Sequence, residues 1–311
     1  MQKRASKEKG LALIITLLIT ALIVAVVTEI VHAVYIHTSF TSSYKDGQRA
    51  ALLAEGGVEL ATSVITHMFK DKSYSLLRDK EARQTIQADD AVVSLRVEDE
   101  LAKVSINSIV LPNGEINPEN YATFLRLLKG IGLEDELADA LSDWIDINDE
   151  PRPMGGETYD YYKRLSQPYS AKGGALDTLE EVLLVKGYSP QIYKRLSPFI
   201  TVYAEEPGVM GIPKININTA SKEVLMALSS DVTGDMAQMV IEYRDKNPFK
   251  DTADIRKVAG FETIGFSLQS RITVKSSIFR IFSKGMVGDG IREVEAVVAI
   301  KANKNLYWRE R

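Results

Sequence analysis

Apolar positions follow three regimes along this chain. From Leu11 to Val27 they run without a charge, broken in polarity only by Thr16 and Thr20. A helix over that run, at about 1.5 Å per residue, nearly matches a hydrocarbon core of about 30 Å. From Thr28 the run thins to a stripe. Ile30, Val34, Leu52, Leu53, Val58, Ala61, Val64, Ile65 and Met68 recur near helical spacing, which predicts an amphipathic rod continuing out of the oily segment. Gly56 and Gly57 inside the rod are unfavourable in a helix interior and leave open whether the stem kinks there.

The third regime mixes periods. After a polar stretch, Lys70 to Asp90, the alternating Val93, Leu95 and Val97, a polar turn, then Val104 and Ile106 predict an antiparallel hairpin. Near the other end, "SRITVKSSIFRIFSKGMVGDGIREVEAVVAI" predicts strands about a glycine-rich turn at Gly285 to Gly290, followed by a short final segment. The part between is mainly of helical period and contains an internal repeat. "AKVSINSIVLPNGEINPENYATFLRLL" matches "PKININTASKEVLMAL", each a short strand ending at Asn107 or Asn218 and then a helix with an Asn or Ser cap. A second helix follows in each copy, then a threonine-led helix start in "LDTLEEVLLVKGY" and "FKDTADIRKVAGF", then a closing strand, "SPFITVYA" or "SRITVKSS".

The chain has 38 Lys and Arg against 42 Asp and Glu, a net charge of −4, which argues against nucleic acid as a main partner. It has no cysteine, so disulfides, thiolate catalysis and cysteine-based zinc sites are excluded. His32, His37 and His67 share no metal-binding spacing, and no Ser-His-Asp, Walker or dinucleotide motif stands in context, so no catalytic role is expected. "LLKGIGLEDELADAL" and "RKVAGFETIGF" resemble helix-hairpin-helix turns, which in DNA-binding proteins hold phosphate on backbone N–H groups. That supplies an alternative function, a membrane-anchored DNA-binding or uptake protein. Glu134, Asp135 and Glu136 stand where the phosphate would sit and oppose it.

One insertion distinguishes the first repeat from the second. "SDWIDINDEPRPMGGETYDYYKRLSQPYSAKGG", residues 142–174, is dense in oxygen donors: Asp143, Asp146, Asn148, Asp149, Glu150, Glu157 and Asp160. Calcium takes six to eight such oxygens and tolerates irregular geometry. Asp143 and Asp146, three apart, share a face at a helix end, with Asn148 just beyond. The alternatives are a solvated acidic turn, or Arg152 neutralising one of the carboxylates.

The leader supplies the last signal. Lys3, Arg4, Lys7 and Lys9 precede Gly10, and the positive-inside rule predicts a cytoplasmic N-terminus. Lys9-Gly10-Leu11 resembles the leader junction of type IV pilins and type II secretion pseudopilins. "DWIDINDEPRPMGGETYDYY", "KININTASKEVLMAL" and the final "YWRE" are similar to the general secretion pathway protein K family, the minor pseudopilin K of type II secretion.

The resemblance implies an α+β fold: a pilin-like long N-terminal helix plus antiparallel sheet, with a large inserted α-helical domain of two helix-hairpin-like (SAM-like) modules. It implies a prepilin leader over 1–10, transmembrane helix and stem over 11–70, and β framework over 71–107 and 198–311. The inserted α-domain is expected over 108–197 and the second helical module over about 218–266. It further implies cleavage between Gly10 and Leu11 by prepilin peptidase with N-methylation of Leu11. The carboxylate that most pilins carry five residues after the cut is replaced here by Ile15. A calcium site is implied on Asp146, Asn148, Glu157 and Asp160, with Asp143 and Asp149 as alternates. Expected partners are other minor pseudopilins, the major pseudopilin and the inner membrane, with a periplasmic globular part and no nucleic acid. The expected role is at the tip of the pseudopilus, initiating its assembly and the secretion of folded proteins.

Overall fold

The computed structural model describes residues 2–71, 81–148, 150–205 and 213–311. Helix α1 spans Gln2–Asp71 and runs through Gly56-Gly57 without a break. Its apolar window has a mean hydropathy of 2.9 and none of it is buried by the rest of the chain; among the described residues this is one helix long and apolar enough to cross a membrane.

The stem of α1 lies on a five-stranded antiparallel sheet of order β1-β2-β7-β8-β9, built from β1 (Glu81–Ala88), β2 (Ala91–Asp99), β7 (Ile278–Val287), β8 (Gly290–Ala299) and β9 (Lys304–Glu310). Ala54, Val58, Ala61 and Ile65 of the stem bury against Leu95, Val97, Phe279, Ile281, Val294, Ala296 and Val298. Glycines set the closeness of this contact. A Cβ on Gly57 would overlap Ser283 Oγ and stand 2.9 Å from Leu95 Cδ2, and a Cβ on Gly285 would meet the Ala50 carbonyl and stand 2.9 Å from Ala54 N. Gly57 therefore lets the helix seat closely on the sheet.

Two sequence expectations change here. The partner of β2 is β1, paired in register from Glu81↔Glu98 to Ala88↔Ala91, and not the segment holding Val104 and Ile106. Val104–Ser105 is a short strand β3 that runs parallel to β4 (Ile200–Thr201), nearly a hundred residues later in the chain. Nor does the sheet framework resume at 198.

The described residues between β2 and β7 form one helical insert. It comprises β3, α2 (Pro118–Gly130), α3 (Glu136–Ile145), α4 (Tyr159–Lys163), α5 (Pro190–Leu196) and β4, then β5 (Ile215–Asn216), α6 (Lys222–Ala227), α7 (Gly234–Lys246), α8 (Gly265–Leu268) and β6 (Ile272–Thr273). Residues of both repeats, from Val104 to Val274, share a single apolar core. Arg126 Nε donates to Ala227 O at 2.8 Å, and Arg271 donates to Leu228 O and to Thr123 Oγ1, so the first repeat is fastened to the second.

The repeat is exact in its hydrogen bonding. Asn107 Nδ2 donates to Leu176 O and Val202 O while its Oδ1 accepts from Leu176 N. Asn218 Nδ2 donates to Phe249 O and Val274 O while its Oδ1 accepts from Phe249 N. Each asparagine thus ties its module's first strand to the entry of the third helical segment and to the end of the closing strand. Those third segments, Leu179–Leu184 and Thr252–Lys257, are 3-10 turns opened by capping boxes, Thr178 with Glu181 and Asp251 with Asp254. The cap in the second copy is Asp251 instead of the expected threonine.

The insert leaves the sheet at Asp99 and returns at Ile278, the end far from the oily part of α1. Gly288 and Gly290 at the opposite end lie against Asp46, and Arg49 pairs with Asp90 there. At the far end, Phe69 of the stem lies under Lys301. A buried polar junction closes this end. Glu100, fully buried, meets Lys103 Nζ at 2.9 Å and Arg280 Nε at 2.8 Å and accepts from Thr201. Asp99 accepts from Leu101 N, Asn216 Nδ2 and Thr219 Oγ1.

Candidate functional site: the acidic loop of the first module

Helix α3 carries Asp139 and Asp143, and Asp146 is the residue that caps its C-terminus; the three stand at i, i+4 and i+7 and are all buried. At helical spacing they lie on adjoining turns of one side. Asp139 accepts from Tyr121 Oη at 2.5 Å and from Met154 N at 3.0 Å. Asp143 Oδ2 accepts from Arg152 N at 2.8 Å, and its Oδ1, buried without a hydrogen bond, faces Arg152 Nε at 3.2 Å. Asp146 accepts from Asn148 Nδ2 at 3.0 Å and stands 3.6 Å from Arg152 Nη2. Burial pushes the Asp143 carboxyl up to about 6, against the opposing pull of the Arg152 amide and guanidinium.

The loop wraps back over these groups because its glycines permit it. A Cβ on Gly156 would overlap the Asp143 carboxylate and stand 2.5 Å from Arg152 N. Gly173, at φ +57°, donates to Trp144 O at 3.1 Å, and Tyr159 Oη donates to Asp146 O at 2.8 Å. Beneath, Trp144 packs edge-on against Tyr162, 4.9 Å between centroids, and Tyr169 contacts both rings. The aromatic part of the motif is thus the floor that holds the acidic end of α3.

Of the expected ligands, Asp146, Asn148 and the alternate Asp143 come together. Glu157 does not join them, being paired with Lys186, and Asp160 is exposed beside Lys163 and Arg164. Asp149 lies outside the described residues. Arg152 takes the neutralising role that the sequence left as an alternative. Asp139 and Tyr121 escaped the sequence reading, although the Asp139 to Asp143 spacing of four was there to be read. Among the described residues, no three His, Asp or Glu side chains converge to hold an ion. The oxygen-rich pair of buried aspartates, with one oxygen outside any hydrogen bond, nevertheless fits a hard cation better than a transition metal.

Gly10 and Leu11 lie within α1, and Ile15 is exposed on it. The first hairpin turn does not offer a phosphate site. Gly132 N and Leu133 N donate to Lys129 O and Leu128 O, Arg195 caps the Ile131 and Gly132 carbonyls, and Asp135 pairs with Lys129. With those amides used internally and carboxylates at the helix start, the DNA-binding alternative is unsupported.

Models of the type II secretion system protein K family match residues 102–205 and 215–275, one on each module of the insert. The chain belongs to the type II secretion system protein K family. It is a minor pseudopilin of that system. It is 28% identical to the protein K of Aeromonas hydrophila over 97% of this chain and 96% of that one, and 26% identical to that of Pseudomonas aeruginosa over 65% and 59%. Its fold matches a chain in the crystal structure of the GspK–GspI–GspJ complex from the enterotoxigenic Escherichia coli type 2 secretion system. The TM-score is 0.71 at 17% identity, covering 87% of this chain and 99% of that one.

Proposed function

We propose that this chain is a single-pass inner-membrane subunit that caps the pseudopilus and helps initiate its assembly, with no catalytic activity. The observation that carries this reading is where the insert sits. Both helical modules leave the sheet at its end away from the oily part of α1, so a subunit stacked above would meet them instead of a stem. The prepilin peptidase cuts after Gly10, Leu11 becomes the methylated N-terminus, and the globular part lies in the periplasm. The partners are other minor pseudopilins below, of the GspI and GspJ kinds found with the related GspK, and then the major pseudopilin. Mass spectrometry of the mature chain tests the processing: a start at methylated Leu11 is expected, and an intact Met1 overturns it.

The acidic loop holds calcium in this reading. Asp143, Asp146 and Asn148 are the residues that bind it, and Arg152 is the counter-charge they would exchange. When bound, the ion supplies positive charge that fixes the loop to α3. Calcium in 100-fold excess over its Kd then stabilises the folded chain by roughly 2.7 kcal/mol. Asp146→Asn abolishes that shift while leaving calcium-free melting nearly unchanged. An identical calcium shift in Asp146→Asn sinks the assignment.

A further inference from the structure

Arg152 stands between two prolines. The ring of Pro151 fixes its own φ, and Pro153 disfavours helical backbone at Arg152, so the loop presents this side chain from a stiff arm. Two main-chain groups fasten the arm to α3. Arg152 N donates to Asp143 Oδ2 at 2.8 Å, and Met154 N donates to Asp139 Oδ2 at 3.0 Å. Neither anchor uses the guanidinium.

The guanidinium lies between two carboxylates instead of clamping one. Its Nε stands 3.2 Å from Asp143 Oδ1 and its Nη2 3.6 Å from Asp146 Oδ2, an oxygen that also accepts from Asn148 Nδ2. Arg152 Nε and Asp143 Oδ1 are both buried without a hydrogen bond. A bidentate arginine–carboxylate clamp closes to about 2.7–2.9 Å through two parallel N–H···O bonds. Here the charge is in position and that clamp is not made. The side chains of Asp143 and Asp146 are 5% and 1% exposed and that of Arg152 27%, so the guanidinium borders solvent and the carboxylates lie behind it. Arginine stays charged at every working pH, so these buried carboxylates keep a cation beside them whatever the solution holds.

We infer that the Arg152 guanidinium is a tethered counter-ion in the cation position between Asp143 and Asp146: it keeps the loop closed on α3 without metal, and it has to swing out before a divalent cation binds. The inference rests on the calcium reading above and adds the competitor that sets the affinity. A site that is competent only while the side chain is out binds more weakly by that fraction, so an arm that is out about one-tenth of the time weakens binding about tenfold. Because both anchors are main-chain groups, the loop stays attached during the exchange.

Melting of the full-length chain in detergent, first in EDTA and then across a calcium chloride titration, tests this. Arg152→Gln leaves two buried carboxylates without their counter-ion, and its melting temperature in EDTA is expected to fall by about 5 °C or more. Its calcium midpoint is expected about tenfold below that of the wild type, with melting back in the wild-type range at saturation. Arg152→Lys keeps a charge on the arm, so it is expected to restore melting in EDTA and to move the midpoint less. Arg152→Gln that folds only in calcium is the same result in stronger form. Arg152→Gln that folds in neither condition, or that melts in EDTA like the wild type, would overturn the inference. Equal calcium midpoints would remove the competition alone, whereas indifference of both proteins to calcium would remove the calcium reading and the competition together.

Discussion

At the scale of single residues, the most consequential side chain outside the loop is Glu100. Burial opposes its charge, but Lys103 and Arg280 outweigh burial and hold its carboxyl down to about 2. Because the folded state keeps this proton off more strongly than the unfolded chain, Glu100 stabilises the fold above about pH 4.5. That contribution is lost progressively as the pH falls from about 4.5 to about 2. Glu100→Gln removes the negative charge and leaves Lys103 and Arg280 facing one another, so it is expected to cost roughly 3–5 kcal/mol at pH 7. It should also flatten the acid limb of the stability curve. Denaturant titrations of the two proteins at pH 3 and pH 7 check both; equal losses at the two pH values would contradict the account. Asp99, next in the chain, moves the other way. Burial pushes it up in spite of the hydroxyl and amide donors around it, because no cation compensates it. Two adjacent acids thus differ in sign because one faces cations and the other only neutral donors.

At the scale of elements, glycine placement separates contacts that the helical pattern alone runs together. Gly57→Ala forces a methyl into Ser283 and Leu95 and is expected to cost about 1–3 kcal/mol by overpacking. Gly56→Ala, one position earlier, is expected to gain up to about 1 kcal/mol from helix propensity alone. Thermal melts of the two variants should move in opposite directions, and a common direction would contradict the seating of α1 on the sheet. The paired asparagines give a second expectation. Asn107→Ala leaves Leu176 N and two carbonyls without partners, at about 1–3 kcal/mol, and should raise hydrogen exchange in the first module before the second. Asn218→Ala should show the reverse order. The repeat was legible because each copy spells strand, asparagine, cap and helix in the same order. Strand β1 was not, since its polar sequence borders solvent at a sheet edge and carries no apolar alternation. The parallel pairing of Val104–Ser105 was hidden because its partner is remote, and local alternation imitates a hairpin. The unity of the insert depends on Arg126 reaching a carbonyl of the second module and Arg271 reaching the Thr123 hydroxyl of the first, which no local pattern encodes. In the acidic loop, the spacing of Asp143 and Asp146 on one helix was readable. The diversion of Glu157 to Lys186 was not, because it is set by how the chain returns after Gly173.

At the scale of the whole molecule, two features bear on where the chain stands in a filament, and they are separable. One is Ile15, which leaves the membrane helix without the carboxylate that most pilins keep. The other is the insert at the far end of the sheet. Ile15→Glu places a charge in the apolar run at an insertion cost of about 2.5–3.5 kcal/mol or less, and offers a counter-charge to a neighbour's N-terminus. If the insert alone bars stacking, Ile15→Glu lowers the yield of tip complexes but does not carry the chain into the filament body. Joining Asp99 to Ile278 by a short turn removes the bulk, and only the combination with Ile15→Glu is then expected to appear along the filament. Cross-linking to the major pseudopilin in isolated pseudopili reads the outcome. Body incorporation by Ile15→Glu with the insert intact would show that the missing carboxylate, and not the insert, fixes the position. No change in tip-complex yield would make Ile15 incidental. The terminal position follows from the fold only if the insert-bearing variant stays at the end of the filament when its charge is restored.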